Sequence, residues 1–166
     1  MAIDGHHSAV TVREYVPGAS VRTLLGRLAQ ESSLALLRHG LLALAAAHER
    51  GVTHRAYTAS NVVVDERGVA RVTDFATVPP PPNAPDEPTG YREDDVRAAF
   101  AVFVECVVGR EGGAEKLPRR LRGLADPAVA GDRAALLDGV EQAGGRDWLP
   151  RAERELARLV SKVRPG

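Results

Sequence analysis

Between Ser33 and Glu49 the apolar residues Leu34, Leu37, Leu41, Leu44 and Ala45 recur at intervals of three and four, and only a helix brings such positions to one side. Gly51 stands where a glycine closes a helix C-terminus, so a long helix is predicted from about Ser33 to Glu49. A second stripe, Val96, Ala99, Phe100, Phe103, Val104 and Val107, predicts a buried helix opened by Asp95 and running to Val108, with glycines from Gly109 to Gly113 closing it. Helices with apolar faces this wide must bury them against other elements, which requires a packed core.

The segments around these helices are shorter. Val62-Val63-Val64 and the run from Val69 to Val72 flank Asp65-Glu66-Arg67-Gly68, where Gly68 supplies a positive φ, and together they predict a β-hairpin. Thr11 to Val16 reads as a short strand ended by a Pro17-Gly18 turn, with Ser20 as N-cap of a short helix carrying Val21, Leu24, Leu25 and Leu28. Residues 79–88 hold six of the eleven prolines and predict an extended loop, since neither a helix nor a central strand tolerates that density. Leu117 to Leu124, Ala134 to Val140 and Arg151 to Val163 read as helices, the last with Leu156, Leu159, Val160 and Val163 on one side. The fold expected is mainly α with a small β-hairpin, one domain over 11–166 behind a tail at 1–10.

Composition narrows the function classes. The 166 residues are 44% hydrophobic and carry 22 basic and 22 acidic side chains, a balance that argues against a nucleic-acid binder. Cys106, the one cysteine, excludes a disulfide framework and reads as a packed, inert thiol. No apolar run is long enough to span a bilayer and Met1 to Ala9 has no signal-peptide pattern, so a cytoplasmic protein without membrane contact is expected. Arginine far exceeds lysine, and Ala, Val and Gly are abundant, a composition of high-G+C bacterial genomes. His6-His7 and the charges along 151–162 read as solvated surface.

The informative stretch is 48–76. His54-Arg55-Ala56 is followed by Asn61 seven residues after His54, then by the hairpin, then by Asp74-Phe75-Ala76 thirteen residues after Asn61. This resembles the catalytic core of protein kinases, whose pattern is H-R-D-x-x-x-x-N, a hairpin and D-F-G. Glu14-Tyr15-Val16-Pro17-Gly18 looks like that family's hinge between lobes, and Asp95-Val96 like the start of its central large-lobe helix. The resemblance covers about Thr11 to Gly109 and implies a kinase-like C-lobe, with the sequence taking up the pattern at the hinge and lacking the N-lobe.

It also implies an inactive site. The family's proton-accepting aspartate is replaced by Ala56, the loop lysine by Thr58, and the D-F-G glycine by Ala76, while only 20 residues separate Asp74 from Asp95. A lost general base costs about 10²–10⁴ in rate. Asn61 and Asp74 occupy the positions that hold magnesium in kinases, and backbone groups of Glu14 and Val16 could meet an adenine. The alternative for Asn61 and Asp74 is a structural role in their loops, and no cofactor is expected, whether Mg²⁺ or ATP.

The resemblance further implies that His54 supports Asp74-Phe75, that Asp95 bonds the backbone of the His54 loop, and that Arg55 either grips a phosphorylated segment or pairs with a carboxylate. Thr77, Thr89 and Tyr91 are the candidate phosphoacceptors, for a genuine Ser/Thr kinase and a phosphothreonine-binding reader. The P-x-x-P spacings from Pro79 to Pro88 read as a stiff spacer rather than a polyproline ligand. An uncovered inter-lobe face around Tyr15, Val16, Val63 and Phe75 would then bind a protein partner or a second copy. The competing expectation is a half-enzyme that binds nucleotide with a partner-supplied small lobe, or a different nucleotide transferase built on Asn61 and Asp74.

Overall fold

The computed structural model describes residues 14–75, 89–110 and 112–163. In chain order its elements are β1 (Gly18–Ser20), α1 (Val21–Leu24), α2 (Gln30–His48), β2 (Val62–Asp65), β3 (Ala70–Val72) and α3 (Thr89–Val108). Two 3-10 turns, Ala114–Lys116 and Arg119–Leu124, lead to α4 (Ala125–Ala130), α5 (Arg133–Gly144) and α6 (Trp148–Val163). The molecule is mainly helical with a small antiparallel sheet, an architecture compatible with a kinase-like C-lobe.

Helix α2 is the axis of the fold. It packs on α3, α5, α6 and β3, and in its first turns Ser32, Ser33, Leu34, Ala35, Leu36 and Leu37 are all buried. The single stripe expected from the leucine spacing therefore widens to the whole circumference. Ser32 and Ser33 are tolerated there because each hydroxyl finds an acceptor, Glu155 Oε2 at 2.7 Å and Ala29 O at 3.0 Å. The fully buried Leu34, Leu41, Leu44, Leu121, Leu136 and Leu156 join residues from every helical layer in one core. Each contributes roughly 1.5–3 kcal/mol relative to exposure. Gly51, at φ 72°, closes α2 as its place in the sequence predicts.

The sheet has the order β1-β2-β3, so the hairpin gains a third strand that periodicity did not predict. Of the strand expected over Thr11 to Val16, residues 14–16 are not a strand and residues 11–13 lie outside the described residues; β1 begins at Gly18, where a turn was expected. The reason is contact: a Cβ on Gly18 would lie 2.1 Å from Val64 O, so a glycine lets β1 approach β2. Helix α1 ends at Leu24, before Leu25 and Leu28, and Ser20 caps it without a backbone bond, its Oγ lying 3.0 Å from Thr23 Oγ1. The β2–β3 turn follows expectation, with Gly68 at φ 83° and Asp65 Oδ1 accepting the amides of Arg67 and Val69.

Helix α3 begins at Thr89 rather than Asp95, so Asp95 sits inside the helix and does not open it. The added turns are held on the surface by Arg97, which meets Glu93 and Asp94 at 3.3 and 2.8 Å. Of the helix expected over Leu117 to Leu124, Arg119–Leu124 is 3-10 rather than α-helical, with Pro118 before it, and α4 was not expected. Glu153 and Glu155, read from sequence as solvated, instead face partners on α2, as described below. No described helix is long and apolar enough to cross a membrane.

Candidate functional site

The loop after α2 is fixed by one buried carboxylate. Asp95, 1% exposed, accepts the amides of His54 and Arg55 at 2.7 Å each, and its Oδ2 lies 2.8 Å from His48 Nε2. Burial alone would raise its pKa, but the bonds from His48, His54 and Arg55 outweigh that and hold it below the usual carboxylate range. Arg55 has φ 62°, a left-handed backbone that costs a non-glycine residue about 1–2 kcal/mol. The bond from its amide to Asp95 offsets that strain.

His54 joins this loop to the next. It is fully buried, with Nε2 2.9 Å from Thr73 O and the Ala56 amide 3.3 Å from Nδ1. These partners select a neutral imidazole that donates from Nε2 and accepts at Nδ1. Burial pushes its pKa below 6.5 in spite of Asp95, in keeping with that form. Its ring packs on Phe75 at 4.7 Å and edge-on to Tyr57 at 5.4 Å.

Asn61 and Asp74 are brought together through Thr73. The Thr73 amide donates to Asn61 O at 2.8 Å, and its hydroxyl lies 3.3 Å from Asn61 O and 3.1 Å from Asp74 Oδ2. Asn61 Nδ2 donates to Ala56 O at 2.9 Å, which closes the 56–61 loop. Asp74 has φ 63°, a conformation its short polar side chain tolerates. One amide oxygen and one carboxylate are too few donors to hold a divalent cation alone; a magnesium here would lean on phosphate oxygens. Among the described residues, no group of three or more His, Cys, Asp or Glu side chains could hold a metal ion.

Where the resemblance places a catalytic aspartate, Ala56 presents a methyl group that cannot take a proton. Asp95 is not presented in its place, being 1% exposed and bonded to His48, His54 and Arg55. Arg55 Nε is buried without a hydrogen-bond partner. Thr58, at the lysine position, is exposed and carries no charge.

The inter-lobe face is only partly as expected. Tyr15 is 79% exposed, whereas Val16, Val63 and Phe75 are half-buried. Beside them a groove of about 550 Å³ runs past Val16, Ala43, Val72, Asp74 and Phe75, with Glu14 at its rim. Thr89 is the first residue of α3 and Tyr91 lies in its first turn, so neither stands on a loop. Thr77, the 79–88 proline run and the 1–10 tail lie outside the described residues. Cys106 is buried and its thiol pKa is pushed up to about 12 by that burial, which leaves it unreactive.

Sequence reasoning missed His39. Its Nδ1 accepts the Ala70 amide at 3.2 Å and its Nε2 lies 3.1 Å from Glu153 Oε1, so one imidazole ties α2 to both β3 and α6. Burial lowers its pKa as well, against the pull of Glu153. Nothing local marks it, because Glu153 is 114 positions away.

No family model matches the chain. It is 35% identical over 78 residues to the serine/threonine-protein kinase PknL of Mycobacterium tuberculosis, covering 45% of this chain and 19% of that protein. To the serine/threonine-protein kinase PksC of Streptomyces coelicolor it is 32% identical over 80 residues, 44% of this chain and 14% of the relative. A mitogen-activated protein kinase kinase kinase of Pyricularia oryzae, MST11, matches at 38% over 65 residues, 37% of this chain and 7% of its own length. The chain thus spans less than a fifth of each of these relatives. These partial matches point to a protein-kinase-like relationship.

Proposed function

We propose that this chain is a kinase-like C-lobe that does not transfer phosphate and works as a cytoplasmic binding or scaffold protein through the face around Tyr15, Val16, Val63 and Phe75. The observation that carries the reading is Ala56. The loop that surrounds it is intact, with Asp95, His54 and Asn61 all bonded in place, yet the position that the resemblance gives to the proton acceptor bears none. A site built this completely around a missing group supports retention of the loop for shape. Thr58 in place of the lysine supports the same reading, since the charge that would meet a transferred phosphate is gone.

The binding half rests on the exposed Tyr15 ring beside half-buried valines and Phe75, an apolar surface that favours a protein partner or a second copy over solvent. Two measurements test the proposal. Thermal unfolding with millimolar ATP and Mg²⁺ or Mn²⁺ is expected to leave Tm unchanged, because a ligand that binds the native state at 100 times its Kd would add about 2.7 kcal/mol. A rise in Tm that Asp74→Asn abolishes favours instead the nucleotide-binding half-enzyme. Sedimentation is expected to show self-association or a stable complex that Val63→Glu disrupts, and a monomer at every concentration with no associated protein contradicts it.

A further inference from the structure

We infer that the outward face of α6 is a docking surface for an acidic helix of a partner protein. It shares no residue with the face around Tyr15, Val16, Val63 and Phe75, and the inference goes beyond the function proposed for that face.

The packing of α6 sorts its charges. The buried Trp148, Ala152, Leu156 and Val160 recur every fourth residue and lie on one side of the helix. The exposed residues of α6 are Pro150, Arg151, Arg154, Arg158, Ser161 and Lys162, and no carboxylate is among them. Both glutamates turn to α2 instead. Glu153 Oε1 lies 3.1 Å from His39 Nε2, and Glu155 Oε2 accepts the Ser32 hydroxyl at 2.7 Å. The four cations follow one another at intervals of three, four and four residues, close to three full turns, so they form a straight row about 16 Å long. Helix stability does not select such a row. Like charges four residues apart repel, as Arg154 and Arg158 do, and Arg158 and Lys162. The helix C-terminus favours Lys162 in the last turn but not Arg154, which lies more than two turns before it. Glu155, three residues from Arg158 and four from Arg151, is spaced to offset the row, yet its bond to Ser32 draws it toward α2.

The row also selects its occupant. A lipid surface needs apolar side chains beside the cations, and the apolar side of α6 lies in the core, with Leu156 0% and Val160 1% exposed. A nucleic acid needs a broad basic surface, whereas this is a single line of cations on a chain with equal numbers of acidic and basic side chains. A protein helix with a carboxylate at every fourth position fits. It repeats its charges at a rise of about 6 Å, the spacing of Arg154, Arg158 and Lys162. Two of these three are arginines, whose planar guanidinium takes a carboxylate through two bonds. Ala157 and Ser161, on one flank of the row, are small enough to let such a helix lie close. Arg151, at the other end, meets Glu31 of α2 at 3.2 Å and ties the row to the core helix.

The probe is a blocked helical peptide, AQAEAAQEAAQEAAQA, titrated at low salt into isotope-labelled protein and followed by NMR. An isomer with its three glutamates five residues apart, which disperses them around the helix, carries the same charge. The first peptide is expected to shift the resonances of Arg154, Arg158 and Lys162, and the isomer to bind at least fivefold more weakly. Arg158→Glu is expected to weaken binding at least tenfold without lowering Tm, since it relieves the repulsion within the row. Arg119→Glu, the same change of charge at another exposed arginine, is expected to keep the affinity within twofold. A peptide with lysine at the central glutamate is expected to bind Arg158→Glu at least tenfold more tightly than it binds the unaltered chain. No binding at several millimolar, equal affinity of the isomer, equal loss from Arg119→Glu, or failure of the lysine peptide to recover binding each overturns the inference. Tighter binding of a ten-nucleotide single-stranded RNA, or binding to phosphatidylserine vesicles that Arg158→Glu abolishes, overturns the choice of a protein helix.

Discussion

Asp95 receives three hydrogen bonds through two oxygens, from His48 and from the amides of His54 and Arg55, and the left-handed turn at Arg55 depends on them. Removing one member of a buried charged network leaves the others unpaired, so Asp95→Ala is expected to lower stability by about 3–5 kcal/mol in urea unfolding. Asp95→Asn keeps one acceptor and is expected to lose less; equal loss from both would mean that the carboxylate's charge and not its bonds holds the loop. The histidines give a pH signature. His39 and His54 both use Nδ1 as an acceptor, which protonation abolishes, and burial holds both below 6.5 in the folded protein. The unfolded chain therefore binds more protons below pH 6.5, and stability is present above that pH and lost as pH falls through the folded values. Asp95 adds a further loss only below its unfolded value near 3.8. Tm is expected to fall between pH 7 and pH 5, with imidazole titrations seen by NMR below 6.5; a flat or rising Tm contradicts the assigned tautomers. The Asp95 bonds to the loop were legible from the resemblance, whereas its bond to His48 was not, since neither spacing nor motif links the two.

At the scale of elements, close backbone approach decides what hydrophobic pattern does not. A Cβ on Gly68 would lie 1.9 Å from Glu153 O, so the hairpin turn touches α6 directly, whereas one on Gly26, with nearly the same φ of 78°, would meet nothing within 4 Å. Gly26→Ala is expected to cost about 1–2 kcal/mol for its left-handed backbone. Gly68→Ala adds roughly 1–3 kcal/mol of overpacking, and equal Tm losses from the two would contradict the contact. The same physics explains the expectations that failed. The β-branched composition of Thr11 to Val16 does not make residues 14–16 a strand, while Gly18, which looks like a turn residue, is what lets β1 lie against Val64. Helix α3 extends before Asp95 because its first turns, largely polar, lie outside the apolar stripe from which it is predicted. Helix α2 and the β2–β3 hairpin were legible because period and turn glycine agreed there.

For the molecule as a whole, what sequence could not show is how distant elements are tied. Ser32 to Glu155, His39 to Glu153 and Arg151 to Glu31 all join α2 to α6 across more than a hundred positions. Each was invisible because a solvated charge and a partnered one look alike in a single sequence. The resemblance, in contrast, located His54, Asn61 and Asp74, and the fold gathers them around Thr73. The central claim is that this gathered loop lacks the group that moves a proton. It is tested most directly by incubating the purified chain with γ-labelled ATP and Mg²⁺ or Mn²⁺, alone and with a generic protein substrate, beside Asp74→Asn. No incorporation above that variant is expected, and incorporation that Asp74→Asn abolishes would contradict the account.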